Sequence, residues 1–514
     1  MAENFLRSAI LNKHFFYSAE LVLGRDHSVA EAEGFVRDAG READGVRIIS
    51  ITDLPGGNPA LPPESFVPFV QEQGLTPLAH LAAKDGNRAF LEGRLHGLAR
   101  MGVENILALT GDAQKDGFWG RSRPVYDLDS VLLLCLIDAM REGIPFKVGS
   151  RSIRTTPFEF FPGAVVNPFK TREPDLMMQL FKLQLKILCG ARFVITQIGY
   201  NLRKLCDLKE YLERIKLPVP VVANVYVPTT TIATMMRNGE VAGCVIPEEL
   251  TRRLEKEKKP QRLERAALMM AAVRDLGFAG SHIGGFGLSH SDYMLIISRS
   301  QEIGSDWRKR MDELVLPCPD EFYLFDSGPD GLSDSGSEFR CNTHVAPVSL
   351  VQCLSRTVHD HLISEHSWAG KFLRRRLGQK TQTAEDLLWR RGFWYGLIGV
   401  STLYRKAALG CAGCGDCIQD HLNYAGCTVG LCQKGLRNGP CGGSRMDGTC
   451  EAHPERPCRW NEIYRATVAS GDDPSKFAET LIPPRDWKLD GTNAMANRLV
   501  DLDNYTRREK RPKK

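Results

Sequence analysis

FEFFPGAVVNPFKTREPDLMMQLFKLQLKILCGARFVITQIGY, residues Phe158 to Tyr200, decides the fold. It opens on a short apolar run (Phe158–Asn167), passes through an amphipathic helical stretch (Glu173–Leu188) and closes on a β-branched run (Phe193–Tyr200). Strand, helix and strand in that order form a βαβ unit, and such units build parallel sheets. The same grammar extends outward on both sides. Strand candidates are Phe15–Leu21 (FFYSAEL), Val46–Thr52 (VRIISIT), Thr76–Leu81 (TPLAHL), Asn105–Thr110 (NILALT), Val219–Val227 (VPVVANVYV) and Gly280–Phe286 (GSHIGGF). Helical patterns such as Ser28–Ala39 separate most of them. Eight such units in about 300 residues is the size of a closed barrel. The expected class is therefore α/β, a (β/α)8 TIM barrel followed by a smaller helical, cysteine-rich metal-binding domain. An open doubly wound sheet is the runner-up. Its signatures are missing, since no G-x-G-x-x-G follows the first strand and no G-x-x-x-x-G-K-[ST] occurs.

Composition sets the outer bounds. Over 514 residues, 43% hydrophobic and 25% charged content is ordinary for a globular chain and excludes a wholly disordered, collagen-like or membrane-embedded one. Basic and acidic residues nearly balance, 67 against 62, without the strong basic excess of a nucleic-acid binder. The start, MAENFLRSAILNKHFF, has no basic region leading into an apolar one, so it does not read as a secretory signal. The longest apolar run, Val131–Ile137, has seven residues against the ~20 that span a bilayer. A cytoplasmic protein is expected, with neither membrane nor nucleic acid as partner; a homo-oligomer is compatible with the sequence. Three regions follow: a barrel over 1–310, a linker over 311–345, and a helical and cysteine-rich part over 346–514. Asp326–Glu338 (DSGPDGLSDSGSE) has linker composition. Trp368, Trp389 and Trp394 mark the helical stretch, and Arg507–Lys514 is a basic, fraying tail.

In a barrel of this kind chemistry sits at the carboxyl ends of the strands. The polar residues near those ends are Glu20, Thr52, His80, Asp112, Asn167 and Gln197, separated by 32, 28, 32, 55 and 30 residues. Four intervals equal one βα unit, and the long one accommodates the insertion GDAQKDGFWGRSRP (Gly111–Pro124). Taken singly, Thr52 and Asp112 could be caps and His80 a hydrogen-bonded core histidine. Their shared phase points instead to one mouth.

SAEL (Ser18–Leu21), ISIT (Ile49–Thr52), PLAHLAAKD (Pro77–Asp85), ENILALTGD (Glu104–Asp112) and Lys186 followed by GARFVITQ (Gly190–Gln197) resemble the methylenetetrahydrofolate reductase family in order and spacing, over roughly Phe15–Ser289. The resemblance implies a flavin (FAD or FMN) in the barrel mouth. It also implies hydride transfer from flavin N5 that reduces 5,10-methylenetetrahydrofolate to 5-methyltetrahydrofolate. By position, Glu20 resembles the general acid, Asp112 would hold the pterin beside the flavin, and Gln197 would contact the folate. Thr52, His80, Thr110, Gly111, Asp112, Asn167 and Lys186 resemble flavin contacts, with Lys186 meeting phosphate. Two motifs depart from the common pattern. Val165–Phe169 (VVNPF) stands where many members carry Y-P-E-x-H, and Ala223–Pro228 (ANVYVP) replaces P-G-I-x-P. Both resemble the branch of the family that works with iron–sulfur partners.

Of 15 cysteines, eight crowd into Cys411–Cys458 as C-x2-C-x2-C-x9-C-x4-C-x8-C-x8-C-x7-C. In a chain without a signal peptide this reads as metal or redox ligation rather than a disulfide scaffold. Cys411, Cys414, Cys417, Cys427, Cys432, Cys441, Cys450 and Cys458 would suit two [4Fe–4S] clusters, or one cluster and one zinc. A structural zinc knot is the alternative. NGPCGGS (Asn438–Ser444), DGTCE and PCRWNEIY (Pro457–Tyr464) resemble a cysteine-rich module fused to, or encoded beside, these reductases, whose relatives are associated with iron–sulfur electron transfer. The scattered Cys135, Cys189, Cys206, Cys244, Cys318, Cys341 and Cys353 read as single buried thiols. The electron donor is either NAD(P)H or a reduced ferredoxin-like protein. Two other functions compete: a folate-dependent methyltransferase with zinc at the mouth and no flavin, and a non-enzymatic electron-transfer or scaffolding subunit.

Overall fold

The structure is a computed structural model that describes residues 4–25, 29–341, 347–364, 367–378 and 393–509. Trp389 and the end of the basic tail lie outside the described residues, as does the side chain of Trp394. The chain divides into two compact units, Met1–Cys341 with Cys441–Glu455, and Asn342–Pro440 with Arg456–Lys514.

Eight parallel strands close a barrel in the first unit: β1 (Phe16–Leu21), β2 (Ile48–Ile51), β3 (Thr76–Ala82), β4 (Asn105–Leu109), β5 (Phe161–Val166), β6 (Phe193–Thr196), β7 (Val221–Tyr226) and β8 (Gly280–Gly284). They pair in chain order, and β8 closes on β1 with Ser18 in register with His282. The helix of the deciding stretch runs Glu173–Leu188. Strands covered on both faces carry continuous apolar runs, and the inward residues Phe16, Ile48, Leu78, Leu107, Phe161, Phe193 and Val222 pack into one cluster. Phe161 and Phe193 stack with centroids 5.7 Å apart. Their neighbour in the layer is Gly163, because a Cβ there would come within 2.3 Å of the Phe193 ring. Leu6 and Ala9 of the helix Phe5–Leu11 join the same cluster at the amino end of the barrel. That helix is capped by Asn4, whose amide also reaches Glu104 and Asn105.

The insertion after β4 carries a two-stranded hairpin, Asp116–Gly117 with Gly120–Arg121, and a second hairpin, Pro145–Val148 with Arg151–Arg154, precedes β5. Residues 322–340 fold back onto the helix Leu202–Arg214. The Asp207 carboxylate accepts from Leu324 N at 2.9 Å and from Ser333 Oγ at 2.5 Å. The Arg203 guanidinium lies 3.8 Å over the Tyr323 ring. Among the scattered cysteines Cys244 and Cys318 are buried, and Cys135, Cys189 and Cys206 are half-buried. Cys341 and Cys353 are exposed, contrary to expectation. On the helix Leu350–Val358 the buried residues are Gln352 and Ser355, so the helical period turns Cys353 outward.

The second unit is helical, with Leu350–Val358, Trp368–Gly378, Phe393–Leu409 and Arg459–Ala469 around a loop-rich cysteine region. Buried polar pairs tie those loops: Arg437 with Asp416 at 2.9 Å, and Asn438 with both backbone groups of Ile482. No helix among the described residues is long and apolar enough to cross a membrane.

Candidate active site in the barrel mouth

At the carboxyl ends of the strands lies a pocket of about 650 Å³. It is lined by Glu20, Thr52, His80, Thr110, Gly111, Asp112, Asn167, Lys186 and Gln197 together, so every barrel residue singled out from the sequence faces one space. The alternation of strand side chains is the cause: residues two apart share a face, and successive strands end at the same level.

Ser18 and Glu20 share the inward face of β1, beside His282 of β8. Glu20 Oε2 lies 3.2 Å from His282 Nε2, and His282 Nδ1 lies 2.8 Å from Ser18 Oγ. Burial pushes the Glu20 carboxyl up, but the hydrogen bond and charge of His282, with His80 adding to them, outweigh burial and hold it below its ordinary value. His80 Nε2 is hydrogen-bonded to Ser50 Oγ at 2.7 Å, and burial drops its pKa to about 4, so it is neutral at physiological pH. Lys186 enters from the helix Glu173–Leu188 and donates to Val165 O at 2.6 Å. Burial, with nearby Lys182 adding to it, lowers its pKa to about 7.

Other side chains serve the walls. Thr52 Oγ1 donates to Leu21 O, and Thr110 Oγ1 accepts from Ser130 N at the start of the next helix. Asn167 Nδ2 donates to Gly243 O at 2.7 Å while its Oδ1 accepts from Phe169 N, which ties a neighbouring loop to β5. Gln197 Oε1 accepts from Ile198 N. The Asp112 carboxylate accepts from Gly56 N at 3.1 Å, and its carbonyl accepts from Tyr126 Oη at 2.8 Å.

Several lining residues were not expected at the barrel mouth from the sequence: His282, Asn224, Tyr226, Gln179 and the stretch Cys441–Gly443, of which Cys441 was read as a metal ligand. A signal for the first two was available, since each is a polar residue inside an apolar strand candidate. Asn224 Oδ1 is buried in this pocket without a hydrogen-bond partner. Cys441–Gly443 carried no such signal toward the barrel.

The eight clustered cysteines do not converge on one place. Cys411, Cys414, Cys417 and Cys427 line a single small cavity together with Arg405, Leu409 and Asp416. Gly413 N–H donates to Cys411 Sγ at 3.4 Å, and burial with the neighbouring thiols raises the Cys414 thiol to about 12. Cys441 and Cys450 belong to the segment that packs with the barrel unit. Among the described residues, no group of three His, Cys, Asp or Glu side chains is set to hold a single metal ion.

Fold and pocket define a (β/α)8-barrel protein whose strand-end mouth gathers a histidine-paired carboxyl group, a buried amine and an aspartate loop. The chain belongs to the methylenetetrahydrofolate reductase family, whose model matches residues 6–286. A second model, described as methylene-tetrahydrofolate reductase C terminal, matches residues 396–488. No curated protein sequence matches. Among solved structures, an uncharacterized protein from Clostridium thermocellum, which binds two copies of 5-methyl-5,6,7,8-tetrahydrofolic acid, overlaps 58% of this chain and 98% of its own at 14% identity and a TM-score of 0.40. Tryptophan synthase from M. tuberculosis in its aminoacrylate-bound form overlaps 57% and 97% at 12% identity and a TM-score of 0.32.

Proposed function

We propose that the barrel reduces 5,10-methylenetetrahydrofolate to 5-methyltetrahydrofolate with a bound flavin, FAD or FMN. The observation that carries this reading is the convergence of Glu20, Asp112, Gln197 and Lys186 on one pocket in a barrel of this family. Two features of the pocket fit such ligands. Lys186 is a buried amine whose charge is suppressed by its surroundings, and a phosphate beside it would restore that charge. The orphaned Asn224 Oδ1 accepts a ring N–H of the kind that a flavin or pterin offers. When bound, a reduced flavin supplies the hydride.

The residues of the chain do the rest. Asp112 holds the pterin, and Gln197 contacts the folate. Glu20 gives a proton to N10, so that the bond from N10 to the methylene carbon opens and that carbon can accept the hydride. His282, 3.2 Å from the Glu20 carboxyl and itself hydrogen-bonded to Ser18, fixes where that carboxyl points. Cys411, Cys414, Cys417 and Cys427 are the residues suited to a [4Fe–4S] cluster. What supports this reading is the tandem C-x2-C-x2-C spacing of three of them, a spacing that serves cubane clusters, and the one cavity that all four line. Electrons then come from a reduced ferredoxin-like protein, or from NAD(P)H directly.

Glu20→Gln keeps the shape and removes the proton. Reduction of the flavin by its donor should persist, while oxidation by methylenetetrahydrofolate falls ~10²–10⁴-fold, the usual contribution of a general acid. Survival of both half-reactions in stopped-flow absorbance would remove Glu20 from the mechanism.

A further inference from the structure

The sequence assigns CGGSRMDGTCE (Cys441–Glu451) to the cysteine-rich part, but the fold places it on the barrel. Its middle is a tight turn. Arg445 N donates to Thr449 O, Gly448 takes φ +82°, and the Asp447 carboxylate accepts from both Thr449 N and Thr449 Oγ1. The loop after β5 grips this turn. Lys170 Nζ, 2% exposed, donates to Ser444 O at 2.5 Å, and Thr171 Oγ1 donates to Met446 O at 3.1 Å. Ser444 Oγ in turn donates to the buried Asp175 carboxylate at 2.7 Å. These contacts direct the returning chain across the mouth, where Glu451 Oε1 accepts from Ala113 N at 3.0 Å.

Ala113 follows Asp112. The aspartate loop is thus held at Gly56 N, at the Tyr126 hydroxyl and at Glu451, the last contributed by a residue 338 positions away. Gly443 makes room for this carboxylate: a Cβ there would lie 1.3 Å from Glu451 Oε2. Cys441, Gly442 and Gly443 line the pocket itself.

We propose that Glu451 is a positioning residue for Asp112, so that the segment Cys441–Glu455 completes the folate subsite of the barrel. The inference rests on the reading of Asp112 as the pterin-holding residue. A backbone N–H aimed at a carboxylate is a charge-assisted contact, and its loss lets the Asp112 loop relax while Lys186, on another element, keeps its hydrogen bond to Val165 O.

The test uses the full-length, flavin-loaded protein and 5-methyltetrahydrofolate as probe, with binding followed by the change in flavin fluorescence. Glu451→Ala should weaken folate binding about tenfold, of the order of one hydrogen bond to a charged group. Flavin reduction by the donor should stay near the wild-type level, and flavin affinity should fall by less than folate affinity, since Thr52, His80, Asn167 and Lys186 lie outside this loop. Glu451→Gln keeps an acceptor oxygen and should restore binding to within about twofold. Gly443→Ala, which displaces the carboxylate, should reproduce the Glu451→Ala defect by an independent route. Wild-type folate affinity in both Glu451→Ala and Gly443→Ala overturns the positioning role. So does a loss of flavin affinity as large as the loss of folate affinity, which marks a structural role alone. If the wild-type protein binds no folate at all, the proposed function fails, and this inference fails with it.

Discussion

Replacing Lys186 by methionine should have two opposite effects, and both follow from the same burial. Lys186 is 8% exposed, and its pKa falls from 10.5 to about 7. At ~1.4 kcal/mol per pKa unit, holding that amine in the flavin-free pocket costs roughly 5 kcal/mol at pH 7. Methionine removes this penalty and keeps most of the volume, but it forfeits the hydrogen bond to Val165 O, worth ~1–3 kcal/mol once a buried acceptor is left unmet. The flavin-stripped variant should therefore be more stable than wild type at pH 7, by about 2–4 kcal/mol. The sign with pH is fixed. The unfolded chain keeps this proton up to about pH 10 and the folded chain only up to about 7, so the penalty is full below pH 7 and shrinks as pH rises toward 10. The advantage of the variant should shrink in step. Flavin affinity should move the other way, falling ~10–100-fold with loss of a charge-assisted phosphate contact. Urea unfolding of stripped protein at pH 7 and near pH 10, with flavin titration by fluorescence, reads both. A variant that is less stable when stripped, or that keeps wild-type flavin affinity, would refute the reasoning.

Two further outcomes are expected. Cys414→Ser should lower the iron and acid-labile sulfide of anaerobically purified protein while flavin content stays the same; zinc without iron in the wild-type protein would reduce the cavity around Cys414 to a structural site. Gly163→Ala should destabilise the barrel by ~1–3 kcal/mol in chemical unfolding, because its Cβ would be driven into the Phe193 ring; an unchanged midpoint would show that the layer can give way.

Local pattern settled much of this protein from the sequence alone. β-branched runs alternating with 3.6-period stretches are short-range properties, and all eight barrel strands lie within the runs that carry them, apart from a one-residue extension at Ala82. Because each βα unit ends at the same mouth, the once-per-unit recurrence of Glu20, Thr52, His80, Asp112, Asn167 and Gln197 already implied a common pocket, and they line one. What the pattern could not carry is pairing between distant segments. His282 gains its meaning only when β8 closes on β1 and brings it to Glu20, 262 residues away. The Gly, Ser and Asp composition of Asp326–Glu338 reads as a linker, yet a buried carboxylate at Asp207 draws the Ser333 hydroxyl inward, together with the backbone N–H of Leu324 just before it. Cys411, Cys414 and Cys417, grouped by spacing, line one cavity, because three residues from one to the next is a local distance. Spacing grouped Cys441 and Cys450 with the other six, whereas the fold puts them in the barrel unit, with Lys170, Thr171 and Asp175 holding the turn between them. Periodicity is written in neighbouring residues, whereas a buried lysine or aspartate finds its partner wherever the folded chain brings one, and only the tertiary structure shows which.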